Sequence, residues 1–222
     1  MKTKEDIIKF LKEPKIEDFR VIAEELLHHF VIKKQEQKLN EDIKEVSYNL
    51  AEIEFYYYGK GHEDRHTYIR LANAGSWFFH GSGVDLAFQT IIEDKEKATL
   101  ISFGGILIRS IIRTEDNKTI SGPIRCMEEL INNNAGVLEW DMVEDSSNKN
   151  KEIANPIKRT GLQPFKILAE GEKDYSEGQY KYYLKDSSWQ NSIKRYKYYL
   201  QQKDKKRYLT IKKSEDIIDY RF

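Results

Sequence analysis

The chain has 222 residues, of which 37 are basic and 37 acidic, so its formal net charge is zero. This length fits one domain or one domain with an appendage, and the balanced charge argues against a broadly basic nucleic-acid-binding face, although a local basic patch remains open. The single cysteine, Cys126, excludes an internal disulfide. With a charged N-terminal stretch and no long apolar run, these features predict a cytoplasmic protein with no secretory signal and no membrane association.

The first elements in the chain are predicted to be two helices. Residues 4–12 form a short amphipathic pattern that stops before Pro14, where proline disfavours continuation of a helix. Apolar residues recur at helical spacing over residues 16–28. A strand is predicted to begin at residues 30–32, which are apolar and follow the second helix directly.

Residues 45–58 predict the long central strand. Because side chains alternate across a strand, Glu52 and Glu54 share one face, and the four aromatic residues 55–58 follow them directly, before Gly59 interrupts the pattern. A carboxylate beside flat aromatic side chains suits chemistry on a planar ligand such as a nucleobase. Periodicity alone favours an aromatic core strand with two solvated acids, so both interpretations stay open.

Further strands are predicted at residues 75–80 and 84–92, and the β-branched run at residues 100–112 predicts a buried strand. Its one interior charge is Arg109. Such an arginine needs an anionic partner or a cleft, because an unpaired buried charge is costly. A helix is predicted over residues 124–132, and its first N–H groups are suited to an anion.

The last part of the chain is predicted to contain strands and then a helix. The predicted strands lie at residues 137–143, 159–168 and 180–184. From residue 187 onwards, apolar residues recur at helical spacing in a tail rich in lysine and arginine. We therefore predict a domain over residues 1–192 with N-terminal helices and a basic helical extension over residues 193–222. Helices and strands mix without a βαβ order, which is typical of the α+β class.

Residues 62–66 (HEDRH) match the H-E-x-x-H pattern of zinc hydrolases, in which a helix presents two histidines to the metal. Glycines precede the pattern and no convincing third ligand follows on a second helix, so a polar loop is the favoured interpretation. A zinc hydrolase that uses His62, Glu63 and His66 is the weaker alternative. We predict no metal and no cofactor, and a buried apolar role for Cys126 in place of a nucleophilic one.

Seven segments of the chain resemble, in order, segments of the alkyladenine (3-methyladenine) DNA glycosylase family. Residues 52–56 (EIEFY) are similar to the family's E-T-E-A-Y, and residues 121–125 (SGPIR) are similar to its S-G-P-x-K/R. The other five segments are residues 63–66, 75–83, 106–110, 159–162 and 182–192. The match as a whole covers roughly residues 19–192.

The resemblance implies a single domain with a curved, mixed, mostly antiparallel β-sheet edged by helices, and a base pocket on one face. It implies a monofunctional DNA glycosylase of base-excision repair, which flips a modified base out of DNA and hydrolyses its N-glycosidic bond without metal or cofactor. Glu54 would activate the water, and Arg109 would help to hold it. The base contacts would be Tyr56, His66, Phe79 and His80. The contacts to the nucleic-acid backbone would be Gly122, Arg125 and Arg159.

Two positions depart from the family pattern. Ser82 stands where the family has the tyrosine that fills the gap left by the flipped base, and His80 stands where it usually has a tyrosine. Tyr68, Trp77 or another aromatic residue would have to supply the missing ring. These departures predict an unusual substrate: another modified base, a single strand of DNA or a free nucleoside. The alternative function is a non-catalytic nucleic-acid- or nucleotide-binding module, and the oligomeric state stays open.

Overall fold

The computed structural model of the protein describes residues 1–37, 42–59, 62–64, 67–94, 99–132, 135–153, 157–158 and 196–199. These residues form a curled sheet with helices packed against it, and the strand pairings among them are antiparallel. The predicted α+β class is therefore confirmed.

The α-helices of the described part are α1 (Lys4–Lys12), α2 (Phe19–His29) and α3 (Pro123–Leu130). The start of α1 is a capping box, since the Thr3 side chain accepts from the Asp6 N–H while the Asp6 carboxylate accepts from the Thr3 N–H, which satisfies two amides that the helix leaves open. The first helix has the predicted bounds, whereas the second, predicted over residues 16–28, begins at Phe19 after a 3-10 turn at Ile16–Asp18. None of the described helices is long and apolar enough to cross a bilayer.

The sheet is organised around two long strands in its middle. The strands are β1 (Phe30–Glu36), β2 (Lys44–Gly59), β3 (His62–Glu63), β4 (Trp77–His80), β5 (Gly83–Ala87), β6 (Ile91–Asp94), β7 (Thr99–Arg113), β8 (Thr119–Ser121), β9 (Ala135–Met142), β10 (Ile157–Lys158) and β11 (Tyr196–Tyr199). One path across the sheet runs β10-β11-β2-β7-β5-β4, and β1 pairs with both β2 and β9.

The ladder between β2 and β7 keeps one register over most of its length. Tyr48 pairs with Arg113 at one end, and Glu54 pairs with Leu107 further along, with a local irregularity around Glu52. Residues two apart on these strands therefore share a face. The face that carries Phe55 packs against α2, where the Phe19 ring stacks on the Phe55 ring at 4.4 Å.

The opposite face of the ladder packs in part against α3. There the Tyr48 hydroxyl, buried in the sheet, donates to the Glu129 carboxylate of α3 at 2.9 Å. Glu52 and Glu54 lie on this same face, because their even spacing continues from Tyr48 along β2. The central strand is thus covered on both sides, which explains why the residues 48–55 are all buried.

The tail differs from the sequence prediction where the structure describes it. Tyr196–Tyr199 is a strand, not part of a helix, and it pairs antiparallel with residues 52–54 of β2. Aromatic residues favour the half-buried surface of a sheet, and Tyr198 is buried with its ring 5.6 Å from the Phe55 ring. The helix prediction is wrong for these four residues. The predicted strands at 159–168 and 180–184 and the proposed boundary after residue 192 lie outside the described residues.

Candidate functional site

Two carboxylates, a guanidinium and a phenol meet on one face of the central ladder. Arg109 Nη1 donates to Glu54 Oε2 at 2.7 Å, and the Tyr56 hydroxyl donates to the same oxygen at 3.2 Å. On its other side, Arg109 Nε lies 3.3 Å from Glu52 Oε1. We call these four residues the Glu54 cluster.

The Glu54 cluster follows from strand alternation. Glu52, Glu54 and Tyr56 occur at every second position of β2, so they project to one side, and Arg109 lies on the same side of the adjacent strand. Both carboxylates are 0% exposed and the Arg109 side chain is 13% exposed. Buried carboxylates need a compensating cation, and Arg109 supplies it, as its isolated position in an apolar run predicts.

A second polar group lies further across the same face. Glu54 pairs with Leu107 of β7, Leu107 pairs with Asp85 of β5, and Asp85 pairs with Phe78 of β4. Directly paired residues of antiparallel strands share a face, so Asp85 projects to the side of Glu54. The backbones of β2 and β5 are two strand spacings apart, about 10 Å.

Asp85 organises this second group. The buried Arg70 side chain forms an ion pair with Asp85, whose other oxygen lies 3.2 Å from His80 Nε2. The Ser82 N–H donates to His80 Nδ1 at 3.2 Å. Since an amide can only donate, Nδ1 is the acceptor and the proton of the neutral ring is on Nε2, toward Asp85. Tyr68 completes the group through a 2.8 Å hydrogen bond between its hydroxyl and Ser82 Oγ. We call these five residues the Asp85 cluster.

A glycine of β7 makes room for the Arg70 side chain. A Cβ at Gly105 would lie 2.8 Å from Arg70 Nη1 and 3.0 Å from Asp85 Cβ, closer than packed atoms tolerate. The guanidinium also lies over the Phe78 ring, 4.2 Å from its centroid. Arg70 is therefore packed against both the Gly105 backbone and the Phe78 ring.

Sequence reasoning missed Arg70 and Asp85. A signal for Asp85 was present, because it is a lone charge within the apolar residues 83–88 (GVDLAF), just as Arg109 is within its own run. The same rule, that a buried charge needs a partner, points to it. Arg70 lies in an irregular segment before β4, and nothing in its neighbourhood in the sequence distinguishes it from a surface arginine.

The predicted base contacts are only partly brought together. Tyr56 lies in the Glu54 cluster and His80 lies on the same face, but the His80 side chain is only 7% exposed and the Tyr68 ring covers it at 4.5 Å between centroids. Phe79 pairs with Val84 and projects to the opposite face of β4, where it is 43% exposed. Phe79 and His80 therefore lie on opposite faces of β4, because adjacent strand residues alternate in direction. His66 lies outside the described residues.

The two candidate replacement rings occupy different places. Trp77 packs against the core, and its Nε1 donates to the Leu138 carbonyl at 3.1 Å. Tyr68 is hydrogen-bonded to Ser82, the residue at which the family's ring is missing. Of these two rings, only Tyr68 therefore lies beside Ser82.

The predicted contacts to a nucleic-acid backbone meet at the start of α3. Gly122 caps this helix at a φ of 105°, but its N–H donates to the Arg109 carbonyl at 2.8 Å, so this amide is used within the fold. Arg125 is exposed and lines an open depression of about 390 Å³ beside β8, together with the basic Lys118 and the acidic Glu128. Arg159 lies outside the described residues.

The H-E-x-x-H pattern lacks the helix that its chemistry needs. His62–Glu63 is the short strand β3, paired with the end of β2, and the His62 ring is hydrogen-bonded through Nδ1 to the Tyr57 carbonyl at 2.8 Å. Within the described ranges no three His, Cys, Asp or Glu side chains come together as a metal site requires.

A third group repeats the residue types of the Glu54 cluster at the other end of the ladder. Glu129 of α3 accepts from the Tyr48 hydroxyl and is ion-paired with Arg113 of β7. Burial raises the pKa of Glu129, but the hydrogen bonds from Arg113 and Tyr48 and the charge of Arg113 outweigh it and hold this pKa below the ordinary value. We call these three residues the Glu129 cluster.

Comparison with known proteins does not assign the chain to a family. The architecture defines an α+β protein with three acid–arginine clusters on one face of its sheet. No family model matches this chain, nor does any curated protein or solved structure. The resemblance to alkyladenine glycosylases therefore stays a prediction from sequence.

Proposed function

We propose that this chain is a monofunctional N-glycosylase of the alkyladenine DNA glycosylase fold, which releases a modified base from DNA by hydrolysis. The observation that carries the proposal is that Arg109 and Tyr56 both donate a hydrogen bond to the same oxygen of Glu54. Glu54 and Tyr56 belong to the EIEFY segment, and Arg109 belongs to another segment that resembles the family. These separate segments meet at the group to which the resemblance gives the chemical step.

Glu54 is proposed as the general base. It removes a proton from a water whose oxygen bonds to the anomeric carbon of the sugar, while the bond from that carbon to the base breaks and its electron pair leaves with the base. A positioned general base contributes typically 10²- to 10⁴-fold to such a step. Arg109 holds the carboxylate by its ion pair, and Glu52 holds Arg109 from the other side, so the orientation of the base is set before substrate binds.

The substrate proposed is a base in a single strand of DNA or an unusual modified base. Tyr56 provides an aromatic surface next to Glu54, and the Asp85 cluster lies two strands away on the same face. The face between them carries Leu107 and Gly105, both buried. An aromatic ring beside polar groups suits a planar ligand read by stacking and by hydrogen bonds at its edges.

The test compares two matched glutamate substitutions. Glu54→Gln is expected to reduce base release at least a hundredfold while leaving nucleic-acid affinity nearly intact. Glu129→Gln is the control, because Glu129 is also bonded to an arginine and a tyrosine and should release bases at the wild-type rate. Mass spectrometry of bases released from DNA carrying many modifications is the measurement. A fully active Glu54→Gln protein contradicts the proposal.

A non-catalytic binding module on the same fold is the second candidate. It is favoured by the complete burial of Glu54, because a carboxylate that is packed within the fold can serve stability alone. In that case Glu54→Gln changes stability without changing any reaction. Release of any base by the wild-type protein, lost in Glu54→Gln, eliminates this candidate.

A further inference from the structure

The Phe78 ring and three planar side chains of the Asp85 cluster follow one another in space. The Arg70 guanidinium lies 4.2 Å from the Phe78 ring centroid, the Phe78 and His80 centroids are 5.6 Å apart, and the His80 and Tyr68 centroids are 4.5 Å apart. The two ring pairs are inclined by 30° and 36°. The series begins at a buried arginine and ends at Tyr68, which is 41% exposed.

Hydrogen bonds hold the last two members of this series, His80 and Tyr68. His80 is held between the Asp85 carboxylate and the Ser82 N–H, and the Tyr68 hydroxyl is bonded to Ser82 Oγ at 2.8 Å. Ser82, in the tight turn between β4 and β5, thus holds both rings, one through its N–H and the other through its hydroxyl. An aromatic surface that is already ordered loses little conformational entropy when a ligand stacks on it.

We propose that Tyr68 is the ring on which the substrate base stacks, with His80 as its support. This inference rests on the proposed function and assigns the base contact to an exposed ring in place of the covered His80. The ligand is a purine or pyrimidine base, in a free nucleoside or in a single DNA strand. Stacking of a base on an aromatic side chain is tolerant of base identity, so Tyr68 contributes affinity, and the edge contacts determine which base is accepted.

The test uses the Glu54→Gln protein, in which binding is measured without turnover. The probes are 2-aminopurine deoxyribonucleoside and a single-stranded oligonucleotide with one 2-aminopurine, whose fluorescence falls when the base stacks. Tyr68→Ala is expected to weaken binding about tenfold. Leu71→Ala is the control, since Leu71 is an exposed side chain three residues further along, and its affinity should be unchanged.

A second pair of variants tests the hydrogen bond to Ser82. Tyr68→Phe keeps the ring and Ser82→Ala removes the partner, so each is expected to weaken binding by less than about threefold, and the double variant no further. Binding of the oligonucleotide alone identifies a DNA strand as the source of the base, and binding of both probes identifies the nucleoside unit.

The two proposals fail in different ways. Unchanged affinity in Tyr68→Ala, or no quenching with either probe, overturns the role of Tyr68. Base release by the wild-type protein is measured separately, and its absence overturns the glycosylase assignment even where Tyr68 binds the probe.

Discussion

The Glu54 and Glu129 clusters use the same residue types in different settings, and the Glu54 cluster has a second carboxylate, Glu52. Each joins a glutamate to an arginine of β7 and a tyrosine of β2. In the first, the glutamate is part of the sheet and completely buried. In the second, it is on α3, beside an open depression, and both charged side chains are partly exposed.

A glutamate bonded to an arginine and a tyrosine is therefore not enough to identify a catalytic site. The Glu129 cluster attaches a helix to the sheet, and the buried Lys34 reinforces it by donating from Nζ to the Glu129 carbonyl at 2.6 Å. The Glu54 cluster lies within the sheet itself, where its carboxylates are fully buried next to aromatic and apolar side chains. Surroundings, more than composition, make Glu54 the candidate for chemistry.

The largest expected difference between the two clusters is in the stability that is lost when the arginine of each is removed. Arg109→Ala takes the cation from between two fully buried carboxylates, and breaking a buried pair lowers the free energy of unfolding by about 3–5 kcal/mol. Arg113→Ala removes a partly exposed partner, for which the loss is about 1 kcal/mol. Urea denaturation of both variants measures the two losses. Equal losses would show that the burial of the Glu54 cluster has no energetic consequence.

The pH dependence of stability should identify the Glu129 cluster. A folded-state pKa below the ordinary value means that ionised Glu129 stabilises the fold; this contribution is present above the unfolded pKa of about 4.3 and is lost as pH falls through the lower folded value. Glu129→Gln should therefore be less stable than wild type at neutral pH, with a difference that shrinks in acid. Urea midpoints at pH 7 and pH 3 measure it, and a pH-independent difference contradicts the assignment.

The smallest expected effect concerns Cys126, which lies between the clusters. Burial raises the pKa of the Cys126 thiol to about 12, and the charges of Glu52 and Glu129 act in the same direction. Because the thiolate is the reactive form, the folded protein should not react with a thiol reagent at pH 8 until urea unfolds it. Rapid labelling of the native protein would show that this part of α3 opens.

Much of the fold was predictable because its signals are local. The apolar spacing before Pro14 predicts α1, and the long β-branched run predicts β7 and the burial of Arg109. Strand alternation predicts that Glu52 and Glu54 share a face, as they do. The contact between Glu54 and Arg109 could not be predicted in the same way, since no local pattern specifies which strands become neighbours.

The remaining differences arise from long-range packing. Arg70 finds Asp85 across an irregular segment, and residues two strands apart cannot be paired from one sequence. Apolar spacing near Tyr196 fits a helix, but the edge of β2 beside Glu52 accepts a strand, and this tertiary pairing overrides the local preference. Phe79 was different: alternation alone separates it from His80, and applying that rule to β4 predicts the observed placement.

The pairing of β11 with β2 has a consequence for biosynthesis. On a ribosome, the strand that carries Glu54 emerges long before Tyr196–Tyr199, its neighbour in the finished sheet. Until then the backbone of residues 52–54 presents an open edge, and contacts so distant in sequence form slowly. Nascent chains should therefore acquire their N-terminal helices early and complete the acid-bearing edge last.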